Sequence, residues 1–392
     1  MIKIKKTDCC DLCKKNEVEY VYTPKNSKRL LKVFICTNCG LVQSFPKIDH
    51  VKDRPIKASG DADWGNIRYG KSFRTKHNLN MINEVKEISS FTRCLDIGSN
   101  RGNFLIDIKK LNNDLEIWGV EPDSNILESY SKLESFKIIN ERIENVDLPD
   151  NYFDLVYCSH TIEHLKSPLN SLIKIRSILK DNGIAYLEVP NIETINFEDT
   201  IEEFFIDKHL YHFSIKTFTN LIERAGLKIL SSSTSKQDKS NISMVVGKKP
   251  TLNEMLKISD YKNNKKLIVK YSETRKSNIT HQKNLAEKLN NIAKQKRLVV
   301  WGAGRIFDIL VRVGGLNTST LSGVIDKHIS EFISHAHGRE ILNSNMLNSL
   351  DPEVIFIASR EHYDEIYDEI LDINESIEVL GFSTEIMSSR NG

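Results

Sequence analysis

The sequence carries almost no net charge: 55 Lys and Arg face 53 Asp and Glu, leaving +2 over 392 residues. That balance excludes a polyanion drawn in by the protein's overall field, so no nucleic-acid partner is expected. No run approaches the ~20 consecutive apolar residues that span a bilayer, so no membrane partner is expected either. The first six residues, Met1 to Lys6, lack the apolar stretch of a secretory signal. A soluble, cytoplasmic protein is the expectation. Aromatic residues make up only 8%, which argues against a basic, aromatic nucleic-acid face. Against these absences stand 40% apolar residues, enough for real cores, and a length that predicts two or three domains.

Cysteine is scarce and uneven. Five of the seven lie in the first 39 residues: Cys9, Cys10, Cys13, Cys36 and Cys39. Cys10-Asp-Leu-Cys13 and Cys36-Thr-Asn-Cys39 form two Cys-x-x-Cys pairs. Four thiolates suit a tetrahedral Zn²⁺ at ~2.3 Å, and two intervening residues let one turn present both sulfurs. Gly40 suits the tight backbone after the second pair. Cys9 is an alternative first ligand, with poorer spacing than Cys10. Disulfides do not fit a reducing compartment. Between the pairs, Val18 to Tyr22 and Leu30 to Ile35 read as a hairpin. The segment has little apolar content, so the metal is expected to supply much of its folding energy, in a structural role. Cys94 and Cys158 read as small buried hydrophobes.

The most informative stretch is Cys94-Leu-Asp-Ile-Gly-Ser-Asn-Arg-Gly-Asn-Phe104, followed by Trp118-Gly-Val-Glu-Pro-Asp123. An apolar run ends in Asp96, a turn carries Gly98 and Gly102, a helical pattern follows, and a second apolar run ends in Glu121. This strand, loop, helix, strand order holds an adenosine group: glycines let the backbone approach the ligand, and the acid accepts hydrogen bonds from ribose hydroxyls. The dinucleotide pattern Gly-x-Gly-x-x-Gly is absent, because Asn100 stands at its middle glycine. Asp96 suits an ammonium and repels a pyrophosphate. The stretch resembles the S-adenosylmethionine (SAM) site of class I methyltransferases. That resemblance implies SAM contacts from Asp96, Gly98, Ser99, Asn100, Gly102, Glu121, Pro122 and Ser159. Asn145 to Val156 and Asp181 to Pro190 resemble the same fold's approach to its fourth strand and its turn into the fifth.

The expected fold class is α/β: a class I methyltransferase Rossmann-like core with an N-terminal zinc-binding segment and a C-terminal Rossmann-like domain. Residues 1–50 form the zinc segment. Residues 51–75, with Trp64, Arg68 and Tyr69, read as a linker or a substrate-covering loop. The methyltransferase core follows over 76–250, with a helix from His77 to Ile88 and strands near 93–97, 116–120, 136–140, 153–158, 184–189, 227–231 and 241–247. Ser167 to Leu179 reads as a helix ended by Asn182-Gly183. Residues 251–296 form a Lys-rich helical connector with a solvated face. Residues 297–392 start a second Rossmann-like unit: Arg297-Leu-Val-Val-Trp-Gly-Ala-Gly-Arg305 runs from a strand into a glycine turn, and Leu321 to Asp326 is a strand ending in an acid. Gly302 and Gly304 would bring a helix N-terminus to a phosphate, but Phe307 replaces a third glycine. Nucleotide binding and a purely structural domain both remain open here.

Taken in order, zinc knuckles, the Gly98-Ser99-Asn100 loop and the C-terminal Gly-Ala-Gly unit are similar to the sugar C-methyltransferase family, which acts on nucleotide-linked deoxysugars. His209-Leu-Tyr-His-Phe-Ser214, before a helix from Thr217 to Ala225, belongs to the resemblance. Where that family has Tyr-x-Glu-His, this chain has Ile206-Asp207-Lys208-His209, so methylation of a sugar hydroxyl or amine fits as well as carbon methylation. The resemblance implies SAM and Zn²⁺ as cofactors and a sugar nucleotide or similar small molecule as acceptor. His209 is the candidate base, since an ordinary imidazole pKa of ~6.5 suits proton removal near neutrality. Tyr211 and His212 are weaker candidates. His160-Thr-Ile-Glu-His164 formally matches a metalloprotease His-x-x-Glu-His, but after the fourth strand it reads as structural histidines beside the cofactor. An RNA methyltransferase, a non-catalytic SAM-binding scaffold and a dehydrogenase are the competing readings.

Overall fold

The computed structural model describes residues 9–24, 27, 29–47, 73–124, 135–195, 204–233, 241–249, 259–331, 333–359 and 362–382. Residues 51–72 of the expected covering loop at 51–75 lie outside them, as does the first part of the connector. The chain divides into two compact units, the first holding residues 1–54, 72–197 and 203–272, the second centred on residues 273–392.

In the first unit, strands β1 (Val18–Tyr22), β2 (Lys32–Cys36) and β3 (Val42–Phe45) form an antiparallel meander. Helix α1 (Phe73–Val85) precedes β4 (Arg93–Ile97), α2 (Asn103–Leu111), β5 (Glu116–Val120), β6 (Lys137–Ile139), β7 (Phe153–Ser159), α3 (Pro168–Ile178) and β8 (Leu179–Pro190). The short β9 (Tyr211–His212), α4 (Ile215–Arg224), β10 (Leu227–Ser233) and β11 (Asn241–Lys248) complete it, with the start of the long helix α5 (Tyr261–Ala293). The central sheet has seven strands in the order β10-β11-β8-β7-β4-β5-β6. β8, β7, β4, β5 and β6 are parallel, and β11 is antiparallel to both β8 and β10. The parallel strands read as near-continuous apolar runs because both faces are covered: Cys94, Leu95 and Ile97 are all buried. Chain order reverses at β4, which lies between β5 and β7, so a crevice opens beyond the carboxyl ends of β4 and β7.

Local chemistry sets the helix ends. α3 starts with Ser167, whose hydroxyl accepts from the Asn170 N–H, and with Pro168 in its first turn. α4 carries a capping box between Ser214 and Thr217. One boundary differs from expectation. α3 stops at Ile178, and residues 179–183 join β8 as an irregularity, where pairing with β7 shifts between Phe153 and Leu155.

The cysteine segment is stitched to the core. β3 pairs with β9 through Val42 opposite His212 and Gln43 opposite Tyr211. Asp11, inside the first Cys-x-x-Cys turn, accepts from the Leu169 N–H at 2.9 Å and from the Ser167 hydroxyl at 2.7 Å. A carboxylate here meets unpaired amides at the positive end of α3. Gly40 has φ +83, and a Cβ there would lie 2.4 Å from the Asp260 carbonyl carbon.

The second unit holds a six-stranded sheet in the order β14-β15-β13-β12-β16-β17, from β12 (Leu298–Trp301), β13 (Gly323–Ile325), β14 (His335–Ala336), β15 (Arg339–Leu342), β16 (Val354–Ile357) and β17 (Glu378–Gly381). Its helices include α6 (Arg305–Ile309), α7 (Leu347–Leu350) and α8 (Tyr363–Ile373). Among the described residues no helix is long and apolar enough to cross a membrane.

Candidate active site

The turn after β4 puts three left-handed residues into five positions: Gly98 at φ +76, Asn100 at φ +47 and Gly102 at φ +74. At Gly98 a side chain is impossible for a second reason: its Cβ would lie 2.1 Å from the Thr161 Oγ1. The turn is tied to β5, since the Gly98 and Ser99 N–H groups donate to the Val120 carbonyl at 2.8 and 3.2 Å. Gly102 then caps α2.

Two carboxylates face this turn. Glu121, just after β5, accepts from the Asn100 N–H at 2.8 Å through Oε2 and from the Asp123 N–H at 2.9 Å through Oε1. Asp96 is only 3% exposed, and among the described residues its carboxylate makes no hydrogen bond. Burial pushes its pKa well up, and the neighbouring Glu121 adds to the shift. A buried acid left without a partner suits a cationic or hydrogen-bonding ligand group. Pro122 follows Glu121 directly. Ser159, ending β7, donates to Glu188 at 3.2 Å. The predicted cofactor residues therefore converge on the carboxyl edge of β4, β5 and β7.

Next to them the chain gathers a set of groups that the sequence reading leaves apart. His160 takes φ +51. Thr161 donates to the Ile97 carbonyl at 3.1 Å, locking this turn onto the end of β4. Glu163 is fully buried, and neither carboxylate oxygen has a hydrogen-bond partner. Three imidazoles surround its Oε1: His160 Nδ1 at 3.5 Å, His164 Nε2 at 3.7 Å and His209 Nε2 at 4.0 Å. The other nitrogen of His160 lies 2.9 Å from Glu188 Oε1. Burial opposes charge on His160, but Glu163 and Glu188 outweigh it and raise its pKa to about 9. His209 behaves oppositely. Burial, then His164, His212 and His160, push its pKa well below the ordinary value. A ring so shifted is a weaker proton acceptor than an ordinary imidazole, which bears on the expectation of His209 as base. Burial also lowers His212 to about 3, and its Nε2 lies 2.8 Å from the Ser44 hydroxyl. Tyr211 donates to the Lys166 carbonyl at 2.8 Å. Both of these weaker candidates are thus engaged in packing.

Cys10, Cys13, Cys36 and Cys39 form one cluster. The Cys10 and Cys39 sulfurs are 3.4 Å apart, and those of Cys13 and Cys36 are 3.5 Å apart. Four sulfurs on a tetrahedral zinc stand about 3.8 Å apart, from Zn–S bonds of ~2.3 Å, so the cluster is compatible with that ion. The backbone helps: the Lys14 N–H donates to the Cys10 carbonyl at 2.8 Å, and the Gly40 N–H to the Cys36 carbonyl at 2.9 Å.

Comparison with known proteins fits this geometry. Residues 70–232 match the family model described as a methyltransferase domain. This part of the chain has the class I Rossmann-like fold and is similar to methyltransferase domains. Residues 294–379 match a second model, described as C2185-like, N-terminal. An uncharacterised methyltransferase of Schizosaccharomyces pombe is 28% identical over 113 residues, 25% of this chain and 40% of the relative. A tRNA U34 carboxymethyltransferase of Syntrophotalea carbinolica is 28% identical over 102 residues, 24% of this chain and 31% of the relative. The chain spans less than half the length of the curated relatives it matches. A SAM-dependent methyltransferase structure from Clostridium acetobutylicum aligns with 47% of this chain and 94% of its own, at 15% identity and a TM-score of 0.38.

The buried Glu163, read only as part of the His160 to His164 run, and Glu188, which shares His160 with it, are the groups whose place sequence reasoning missed. A signal was available for the first: Glu163 sits between His160 and His164 in one short run. Nothing in the spacing could announce that His209, 45 residues on from His164, closes over it.

Proposed function

We propose that the protein transfers the methyl group of SAM to a nucleotide-linked sugar or a similar small molecule, at carbon, oxygen or nitrogen. The observation that carries the cofactor half is the Asp96 carboxylate, buried at the reversal of strand order and, among the described residues, without a hydrogen bond. In this reading Asp96 takes the cofactor's ammonium and Glu121 its ribose hydroxyls. Gly98, Ser99, Asn100 and Gly102 shape the backbone against it, with Pro122 and Ser159 at its edges. SAM supplies an electrophilic methyl group on a good leaving group, so the protein's task is to align acceptor and cofactor and to exclude water. The four cysteines hold a structural Zn²⁺. The acceptor half is supported by the order of zinc segment, SAM loop and C-terminal glycine-turn unit, which is similar to the sugar C-methyltransferase family. His209 belongs to the acceptor side in this reading, with its proton-accepting role weakened by burial.

The name of the tRNA-modifying relative favours RNA as a second acceptor class, whereas the net charge of +2 does not. Calorimetric titration with S-adenosylhomocysteine, repeated with TDP-, UDP- and GDP-linked sugars and with bulk tRNA, tests the reading. Micromolar cofactor binding strengthened by one sugar nucleotide is expected. A folded, zinc-loaded protein that ignores S-adenosylhomocysteine would overturn the cofactor assignment. A response to tRNA alone would replace the sugar acceptor.

A further inference from the structure

A carboxylate removed from water with neither oxygen hydrogen-bonded is costly, and Glu163 is in that state at 0% exposure. The surrounding rings do not repair it, because 3.5 to 4.0 Å is too long for a nitrogen–oxygen hydrogen bond. Those separations are instead close to what donors of one metal ion show. Two atoms each ~2.1 Å from a metal stand about 3 to 4 Å apart, depending on the angle between them. The ligand atoms of Glu163, His164 and His209 all lie within 4.8 Å of one another.

The outer contacts point the same way. His164 Nδ1 lies 2.9 Å from the Lys208 carbonyl. A carbonyl can only accept, so Nδ1 carries a proton; in the neutral ring it is then Nε2, turned toward Glu163, that would serve as the donor to an ion. This backbone brace on the far nitrogen is the usual support of a metal-binding histidine. The main chain fixes the third donor: the Leu210 N–H donates to the Glu163 carbonyl at 2.9 Å, and the His209 N–H to the Ile206 carbonyl at 3.0 Å. His160 stands aside, because its Nε2 is directed at Glu188.

We propose that Glu163, His164 and His209 form a second metal site, binding a first-row divalent ion and distinct from the four-cysteine cluster. Two imidazoles and one carboxylate suit zinc, iron(II), cobalt(II) or manganese(II) and leave coordination positions for oxygen donors. The site adjoins the SAM turn through Thr161, which touches Gly98 and bonds Ile97. An acceptor hydroxyl on the ion would be acidified, and His209 would then serve as a ligand. That role for the ion rests on the methyl-transfer reading. The site itself does not.

The test is titration of Co²⁺ into the full-length, zinc-loaded protein, followed by calorimetry and visible absorption. One further equivalent per chain is expected, with d–d absorption and without the thiolate charge-transfer band that cobalt at the cysteines would give. His164→Asn and His209→Asn should each weaken this uptake by at least about tenfold. Glu163→Gln should abolish it while circular dichroism stays unchanged, since that change removes an unpaired buried charge. Absence of further uptake, or uptake unchanged in both histidine variants, would overturn the site. S-adenosylhomocysteine is titrated in parallel. Its failure to bind while cobalt binds would sink the methyl-transfer reading and leave the ion site standing.

Discussion

The two units solve the same local problem with different outcomes. Each runs from a parallel strand through a glycine turn into a helix, and each ends its next strand in an acid that accepts an N–H from that turn. Glu121 takes the Asn100 N–H, and Asp326 takes the Ala303 N–H at 2.9 Å. In the second unit the acid serves three backbone groups, since Asp326 also accepts from the His328 and Ile329 N–H groups. Its turn is tight too, as Gly98's is: a Cβ on Gly302, at φ +113, would lie 2.9 Å from the Ala358 carbonyl oxygen. The first unit adds Asp96, a second buried acid, which among the described residues makes no hydrogen bond, and the imidazole-ringed Glu163. Similar turn chemistry thus closes a structure in one place and leaves chemistry unsatisfied in the other. Unsatisfied buried groups, more than glycine patterns, mark where a ligand belongs.

The largest effect is expected where the units differ most. Among the described residues only the first carries a four-cysteine cluster. Cys36→Ser should release its zinc and destabilise that unit by several kcal/mol. Hydrogen exchange should then rise over residues 9–45 and at β9, which β3 pairs, while the second unit keeps its protection. Equal loss in both units would contradict the separation.

Matched glycine substitutions sharpen the comparison. Gly98→Ala imposes a Cβ on a left-handed residue against Thr161, and should weaken S-adenosylhomocysteine binding about 100-fold, or ~2.7 kcal/mol. Gly302→Ala should cost the second unit about 1–3 kcal/mol of stability and leave that affinity untouched. Calorimetry and thermal unfolding on both variants separate the two.

A matched pair of acids comes next. Asp326→Asn should destabilise by about 1–3 kcal/mol, through weaker acceptance from three amides, without changing cofactor affinity. Asp96→Asn should do the reverse. A carboxyl whose folded pKa is raised contributes stability below the ordinary carboxylate range and loses it as pH rises through the raised value. The asparagine removes that loss, so the ligand-free variant should be at least as stable as the parent at pH 7. Its affinity for S-adenosylhomocysteine should fall about tenfold or more, as expected for a lost charged hydrogen bond. A less stable Asp96→Asn protein would show that the carboxylate has a structural partner.

The smallest effect concerns an ion pair at the start of β5. Lys137, helped by Trp118 and Arg93 and opposed by burial, holds the Glu116 pKa at about 2. A depressed carboxylate contributes stability above its ordinary pKa and loses it as pH falls toward 2. Partial solvent exposure screens the pair, so Glu116→Gln should cost less than about 1 kcal/mol at pH 7. The difference from the parent should vanish on acid titration of the unfolding midpoint.

The parallel strands were legible because burial on both faces leaves apolar runs. β4 and β5 fall at 93–97 and 116–120, where the runs place them. The glycine turn after β4 was legible because left-handed backbone favours glycine, and the cysteine pairs because one turn must present two sulfurs. Asn182-Gly183 misled, since a pair that usually ends a helix here sits in a strand irregularity that neighbouring β7 tolerates.

By itself the sequence determined what depends on neighbours along the chain: the strand and helix periods, the glycine turn between Asp96 and Glu121, and the spacing of the four cysteines. Only the tertiary structure decided what depends on burial and on distant partners. It docked the cysteine segment on α3 and β9, lowered the His209 pKa by removing water, left Asp96 without a hydrogen bond, and brought His209 over Glu163 and His164. Each of these is a matter of solvation and proximity in space, which no local pattern encodes.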